Sequence, residues 1–200
     1  MRMRRAAATF TAAVALATGG FLSAGAQAAD SGGPDNVVWA KTTGTSDTQT
    51  LSGVQVGSYP GDDLKSANVA RAESTDCTDC RTVAVAVQAV FATGHPSTVE
   101  PTNAAIALNQ RCTRCTTYAF AYQYVVTTDG PVTLGRPARH RIARLRHEIS
   151  GVADSNLAPP DMDARLNELA GEFKTAIDDG LQAAGDHGHG HVEEDHHSDG

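Results

Sequence analysis

The sequence lacks the short motifs by which many enzyme classes are recognised. It contains no G-x-S-x-G nucleophile motif, no glycine-rich phosphate-binding loop and no dinucleotide-binding fingerprint. His147 and Glu148 are followed by Ile149, Ser150 and Gly151, so the second histidine of the H-E-x-x-H zinc-protease motif is missing. We therefore predict that the protein is not an enzyme.

Positive charge is also scarce. The chain has 16 Lys and Arg residues against 23 Asp and Glu residues, which gives a formal net charge of -7 with neutral histidine. Non-specific binding to nucleic acid requires a positive electrostatic field, and this chain lacks one. We therefore predict no nucleic-acid partner.

The N-terminus has the three parts of an export signal. The basic start MRMRR is followed by an apolar stretch that ends near Leu22, and Ala-Gln-Ala at 26–28 has the small residues of a cleavage site. The apolar stretch is short for a membrane span and contains Thr and Gly. We predict a signal peptide over residues 1–28, a secreted or extracytoplasmic cell-surface location, and no stable membrane span after processing.

Composition divides the rest of the chain into three parts. Residues 29–49 are rich in Pro, Gly, Ser, Thr and Asp, which predicts a flexible lead-in. Residues 50–184 have the length of one domain. Residues 185–200 are rich in His, Gly and acidic residues, which predicts a disordered tail.

A sequence pattern occurs twice, with its two copies 35 residues apart. The pattern is N-x-A-x-A, then C-T-x-C, then T-x-A-x-A-x-Q-x-V, and its copies cover residues 68–93 and 103–128. An ungapped match of this density indicates a duplicated supersecondary unit.

Apolar periodicity within each copy predicts strands. In the first copy, Ala, Thr and Gln alternate with Val and Phe from Thr82 to Phe91; in the second, the Val positions are occupied by Tyr and Phe. Strict alternation of β-branched and aromatic residues is typical of strands, although alanine leaves a helix as the competing interpretation. We predict that each copy folds as an antiparallel hairpin with C-T-x-C in its turn, giving an antiparallel sheet of about four strands. Val54-Gln55-Val56 would add an edge strand.

Two helices follow the repeats. Residues 137–150 place Ile142, Leu145 and Ile149 on one stripe. The second helix begins near Pro159 and ends near Ala184, with apolar residues every three or four positions. We expect the helices to cover one face of the sheet in an α+β fold, where the small alanine face would allow a close approach.

Four cysteines, in two C-x-x-C pairs, are the first candidate functional residues. They are Cys77, Cys80, Cys112 and Cys115. Export favours disulfides, and the ends of a tight turn are close enough for each pair to close locally. Pairing between the copies, a tetrathiolate zinc site and a redox couple remain open.

The tail and the first helix supply two further candidate sites. The tail histidines would suit zinc or another divalent transition metal, in competition with a solvated tail: His187, His189, His191, His196 and His197. Five arginines cluster on the first helix and would form either a solvated face or a docking patch for an anionic partner: Arg136, Arg139, Arg141, Arg144 and Arg146.

The tandem pattern, followed by T-T-D-G-P-V and a basic helix, resembles a group of uncharacterised exported proteins of high-GC Gram-positive bacteria. A similar module is carried by longer proteins labelled peptide zinc metalloproteases. The resemblance covers residues 54 to 184 and implies an extracytoplasmic accessory or recognition module. The protease motif is missing here, so the resemblance does not imply protease activity.

Three functional hypotheses follow. The first is an exported, non-enzymatic structural or partner-binding module with two disulfide-stapled turns and no cofactor, whose partner is an unknown protein or a cell-wall component. The second is an extracytoplasmic metal-binding or metal-buffering protein that uses the tail histidines and the four cysteines. The third is a thiol-disulfide oxidoreductase.

Overall fold

The computed structural model describes residues 33–184 and 189–199. The predicted signal peptide lies outside these residues. The strands of the described part are β1 (Asn36–Thr45), β2 (Thr48–Tyr59), β3 (Asp63–Leu64), β4 (Ala67–Thr78), β5 (Arg81–Thr93), β6 (Thr98–Val99), β7 (Thr102–Gln110), β8 (Thr116–Thr128) and β9 (His189–Asp199). The helices are α1 (Arg136–Ala153) and α2 (Pro159–Ala184). The predicted α+β class is confirmed.

The predicted antiparallel sheet is wrong. The strands form three sheets, in the orders β1-β4-β7, β2-β5-β8-β9 and β3-β6, and every pair except β8 with β9 is parallel. The chain does not turn back on itself at C-T-x-C. It crosses there from one sheet to the other, so that successive windings stack as the coils of a parallel β-solenoid.

The corners explain why no hairpin forms. Each C-T-x-C corner contains two non-glycine residues in the left-handed region: Asp76 and Asp79 have φ values of 52° and 58°, and Arg111 and Arg114 have values of 51° and 55°. Aspartate is among the residues that adopt this conformation most readily. The two bends turn the chain outward into the next sheet.

The described part of the chain makes three coils: β1 and β2 form the first, β4 and β5 the second, and β7 and β8 the third. Stacking places each residue of β4 and β5 beside the residue 35 positions later. Asn68 pairs with Asn103, and Thr82 pairs with Thr117. The shorter first coil joins the same arrangement, because Asn36 pairs with Asn68. Residues of the same type therefore form rows along the solenoid.

Alanine fills the space between the two large sheets. Ala40, Ala70, Ala72, Ala84 and Ala86 have no exposed surface, and side chains this small let the two sheets approach closely. We expected the helices to pack on this alanine face. That expectation is wrong, since the face is occupied by the β1-β4-β7 sheet.

The helices pack on the opposite face of β5 and β8, which carries the large side chains. Val83, Val85, Phe91, Tyr118 and Phe120 are buried there against helical residues. The helical residues are those of the predicted stripes: Ile142, Leu145, Ile149, Met162, Leu166, Leu169, Phe173, Ile177 and Leu181. This apolar layer is the main core.

Two rows of amides run through the interior. Asn36 donates to Asn68 Oδ1 at 2.8 Å, and Asn68 donates to Asn103 Oδ1 at 2.7 Å. Gln123 and Gln88 continue the same arrangement, with Gln123 donating to Gln88 Oε1 at 2.7 Å. Each row fixes the register of neighbouring coils.

The predicted flexible lead-in is wrong from residue 36 onward. Residues 36–45 form β1, which pairs in parallel with β4, and β2 starts at Thr48. The polar composition of this segment did not indicate a strand. The strand forms because the second coil presents a complete sheet edge with which it can pair.

The predicted disordered tail is also wrong where the structure describes it. Residues 189–199 form β9, antiparallel to β8. The last coil of a solenoid leaves an unpaired sheet edge, and the tail satisfies the backbone groups of β8. No helix among the described residues is long and apolar enough to span a bilayer.

Candidate functional site

The four cysteines meet at one corner of the solenoid, where the second coil stacks on the third. The sulfurs of Cys77 and Cys80 lie 2.01 Å apart, at disulfide distance. Cys112 and Cys115 carry free thiols in the structure. One of the two predicted disulfide-stapled turns is therefore seen, and the second pair is close but not joined.

The corner also has the composition of a thiolate metal site. The sulfurs of Cys77, Cys112 and Cys115 all lie within 4.8 Å of one another, and Cys80 belongs to the same buried cluster. Zinc bonds sulfur at about 2.3 Å in a tetrahedron, which requires sulfurs roughly 4 Å apart. The donors fit zinc once the bond between Cys77 and Cys80 is reduced.

The corner is a poor site for thiol-disulfide exchange. Burial, together with the hydrogen bond to Cys115 and its charge, raises the pKa of the Cys112 thiol to about 11. Exchange requires a thiolate, which is typically stabilised by a helix N-terminus or a cationic neighbour. At neutral pH, only a small fraction of Cys112 is in the thiolate form that exchange requires.

Ion pairs flank the cysteine corner on its exposed side. Arg111 donates from Nε and Nη2 to the two carboxylate oxygens of Asp76, and Arg114 Nη2 donates to Asp79 Oδ2 at 2.7 Å. The hydrogen bonds from these arginines hold the pKa of Asp76 and Asp79 below its usual range. The pairs join the corners of adjacent coils, so they support stacking.

The structure separates the tail histidines that it describes. His196 Nδ1 lies 3.4 Å from Asp163 of α2, whereas His197 follows it on an extended strand and points to the opposite face. His191 Nε2 lies 3.6 Å from Glu193. His187 lies outside the described residues, and His189 is placed only as a residue of β9. In the described part of the chain, no metal-type cluster forms among the tail histidines.

The arginines of α1 divide into two groups. Arg141 pairs with Asp179 at 2.9 Å, and Arg144 pairs with Glu148 at 2.8 Å. Arg139 and Arg146 line a groove beside β2. Arg136 begins the helix and is exposed. The predicted docking patch is therefore partly a set of intramolecular ion pairs.

The predicted edge strand at Val54-Gln55-Val56 is part of β2, but sequence reasoning missed the full length of this strand and its free edge. In the described part of the chain, β2 pairs only with β5, so one edge of its twelve residues faces no strand. The strand TQTLSGVQVGSY has no charged residue and no proline. Leu51 lies at this edge and is 37% exposed.

One signal in the sequence points to the first coil. Asn36 and Gln55 are 19 residues apart, close to the spacing of 20 between Asn68 and Gln88. The Asn and Gln rows extend to these two residues. The first coil lacks both cysteines, since Gly44 pairs with Cys77 and Asp47 precedes the start of β2. Without C-T-x-C, this coil was not recognised as a third copy of the pattern.

Comparisons with known proteins give no family. No protein-family model matches the chain, no curated protein matches it, and no solved structure matches it.

Proposed function

We propose that the protein is an exported, non-enzymatic structural module that assembles with a second copy of itself through the free edge of β2. The uncharged, unpaired edge of this strand carries the proposal. A long edge strand presents a row of backbone donors and acceptors to any other strand. Natural proteins protect such edges with charges, proline or short length, and β2 has none of these protections.

The chemistry of the edge favours a second copy as the partner. An edge without charge offers no complementarity to an acidic or basic protein. Two copies of β2 related by a two-fold axis would pair antiparallel in an isologous interface. The two four-stranded sheets would then become one continuous sheet by strand addition.

The remaining features agree with a structural module. The four cysteines are buried or half-buried at a corner where two coils stack. A disulfide within C-T-x-C would hold that corner, and a metal bound by cysteines of both coils would stabilise the stacking. The sequence supplies no enzyme motif, and the acidic composition argues against nucleic acid. An extracytoplasmic location rests on the N-terminal signal and on the resemblance to exported proteins.

The test is the oligomeric state of the chain recovered from an exporting host, measured by sedimentation velocity. We expect a dimer at micromolar concentration. Leu51→Lys adds a charge at the free edge and should give a monomer with an unchanged circular dichroism spectrum. The matched control is Val192→Lys, because Val192 is 38% exposed on β9 at the opposite end. A monomeric wild-type chain, or an L51K chain that still dimerises, would overturn the proposal.

A metal-binding protein is the second candidate function, favoured by the three sulfurs within 4.8 Å of one another. Native mass spectrometry of the exported chain decides between the two states of the corner. One bound zinc, with four thiols that alkylate after the metal is removed, would support the metal-binding function. A mass four hydrogens light, with alkylation only after reduction, would support two disulfides.

A further inference from the structure

A groove lies between helix α1 and strand β2. Its volume is about 430 Å³, within the range of roughly 300–1,000 Å³ that is usual for small-molecule sites. The groove belongs to the outward face of β2, where the strand meets the helical layer. We call it the α1–β2 groove.

The lining is mostly apolar. The apolar residues that line it are Val56, Phe91, Val132, Leu134, Ile142 and Ala143. A surface of this kind favours a hydrocarbon ligand, since burying apolar area contributes roughly 25 cal/mol per Å². A free phosphate or a sugar would not bury the apolar side chains of the lining.

Two arginines give the groove a positive charge, and no carboxylate of the described residues lines it. Arg139 Nη1 donates to Leu134 O at 2.9 Å, which fixes one side of its guanidinium and leaves its other donors available. Arg146 makes no hydrogen bond or ion pair within residues 33–184 and 189–199. Arg141 and Arg144 on the same helix are both paired with acidic side chains. Two of the three α1 arginines that have no acidic partner among the described residues, Arg139 and Arg146, therefore lie at the groove, and Arg136 lies at the start of the helix.

The start of α1 adds to this positive field. Gly135 precedes the helix and provides no side-chain cap, and the first turn contains no acidic residue. A helix N-terminus carries a partial positive charge, which makes basic residues such as Arg136 and Arg139 unfavourable there. An anion bound nearby would relieve this arrangement.

We propose that the α1–β2 groove binds a free fatty acid. The single acyl chain would lie against the apolar lining, and its carboxylate would pair with Arg139 and Arg146. Arginine is suited to this role because its planar guanidinium binds a carboxylate through two parallel hydrogen bonds. The volume suits one chain, so a two-chain membrane lipid is not the ligand.

Isothermal titration with laurate, below the concentration at which it forms micelles, tests the proposal on the exported chain. Dodecyltrimethylammonium has the same chain with a cationic head, and acetate has the head without the chain. We expect laurate to bind at least about tenfold more tightly than dodecyltrimethylammonium, and acetate not to bind. Equal affinity for the two twelve-carbon ligands, or no laurate binding, would overturn the proposal.

Variants locate the site. The double variant Arg139→Gln/Arg146→Gln should weaken laurate binding at least about tenfold. Arg144→Gln removes one arginine from the same helix outside the groove and should leave the affinity within about twofold. Ala143→Trp fills the groove from an exposed position and should abolish binding without loss of the folded circular dichroism spectrum. If Arg144→Gln weakens binding as much as the double variant, the effect is general electrostatics and the proposal fails.

Vesicles separate a groove ligand from a membrane surface. Flotation with phosphatidylglycerol vesicles should not recover the protein. Recovery with vesicles in the absence of laurate binding would show that Arg139 and Arg146 dock to headgroups, which contradicts the proposal. Laurate binding by the Leu51→Lys variant should equal that of the wild type, so this inference and the proposed dimer fail independently.

Discussion

The two ends of the solenoid are finished in different ways. At the end of the third coil, β9 pairs with β8 along eleven residues. That strand, HGHVEEDHHSD, contains four acidic residues and four histidines, so its outer edge is protected against further pairing. At the end of the first coil, β2 has no charged residue and pairs with no described strand on its outer side.

The β1-β4-β7 sheet is capped by side chains at both of its edges. At the far end, Asp195 accepts a hydrogen bond from Ala105 N at 2.9 Å, and Asp199 accepts one from Asn109 N at 3.2 Å. At the near end, Gln49 accepts from Lys41 N, and Asp47 accepts from Thr43 N at 3.2 Å. One sheet is thus capped twice, whereas the other is capped by a strand at one edge only. Solenoids require polar terminal caps to remain soluble, and this asymmetry identifies β2 as the edge available for a partner.

Removal of the tail should have the largest effect. A chain that ends at residue 188 loses the β9 ladder and both aspartate caps, and it exposes the edge of β8. We expect the free energy of unfolding to fall by about 4 kcal/mol, with a fall of roughly 10 °C in Tm. Thermal unfolding followed by circular dichroism measures this, and light scattering should show new self-association through β8.

A control separates the strand from its histidines. Replacing His189, His191, His196 and His197 with threonine keeps a residue suited to strands at each position. Tm should change by less than about 3 °C if the tail acts as a strand. A variant as unstable as the truncated chain would show that the histidine side chains, rather than the backbone ladder, hold the tail in place.

The asparagine row gives the next largest effect, and it compares the middle of the solenoid with its open end. Asn68 donates to Ala86 O at 3.1 Å and to Tyr122 O at 3.2 Å, and it has an asparagine neighbour on each side. Asn68→Ala leaves these buried groups unsatisfied and should cost about 3 kcal/mol.

Asn36 is the matched position at the open end, since it has an asparagine neighbour on one side only. Asn36→Ala should cost about 1 kcal/mol. Urea denaturation of both variants provides the comparison. Equal costs would mean that the open end is as tightly held as the middle, which would contradict the difference between the two ends.

The sequence predicted the elements of the second and third coils better than their arrangement. Alternation from Thr82 to Phe91 indicates a strand, but it is the same for parallel and antiparallel neighbours. The corner determines whether the neighbouring strands are parallel or antiparallel. There Asp76 and Asp79 adopt the left-handed conformation, and the chain enters another sheet. C-T-x-C alone was compatible with a hairpin turn, which is why the predicted sheet was wrong.

The ends of the solenoid could not be predicted from local composition. Residues 189–199 have low hydrophobicity and the composition of a disordered tail, and they become a strand only because β8 offers an unsatisfied edge. At the candidate sites, the sequence identified the cysteines and the arginines of α1. It could not show that Arg141 and Arg144 are paired with acidic residues while Arg139 and Arg146 face a groove.

Removing a single side-chain cap should lower the free energy of unfolding less than the changes above do. The loss should be similar at the two ends of the solenoid. Asp195→Ala removes the acceptor for Ala105 N, and Asp47→Ala removes the acceptor for Thr43 N. Each should lower the free energy of unfolding by about 1 kcal/mol. Urea denaturation measures both. An effect at Asp195 only would show that the near end is already capped by other groups.

The corner ion pairs should give the smallest effect, and they distinguish the junctions between coils. They join the second coil to the third, whereas Ser46 of the first coil occupies the place of Asp79 and forms no such pair. Because Arg111 and Arg114 lower the pKa of Asp76 and Asp79 in the folded state, the stabilisation is present above about pH 4 and is lost as the pH falls through the lowered values. The urea midpoint of the wild type should therefore exceed that of Asp76→Asn/Asp79→Asn at pH 6, and the difference should shrink as the pH falls below about 4. A difference that does not change with pH would assign the effect to the left-handed backbone at these positions, since it would not depend on the charge.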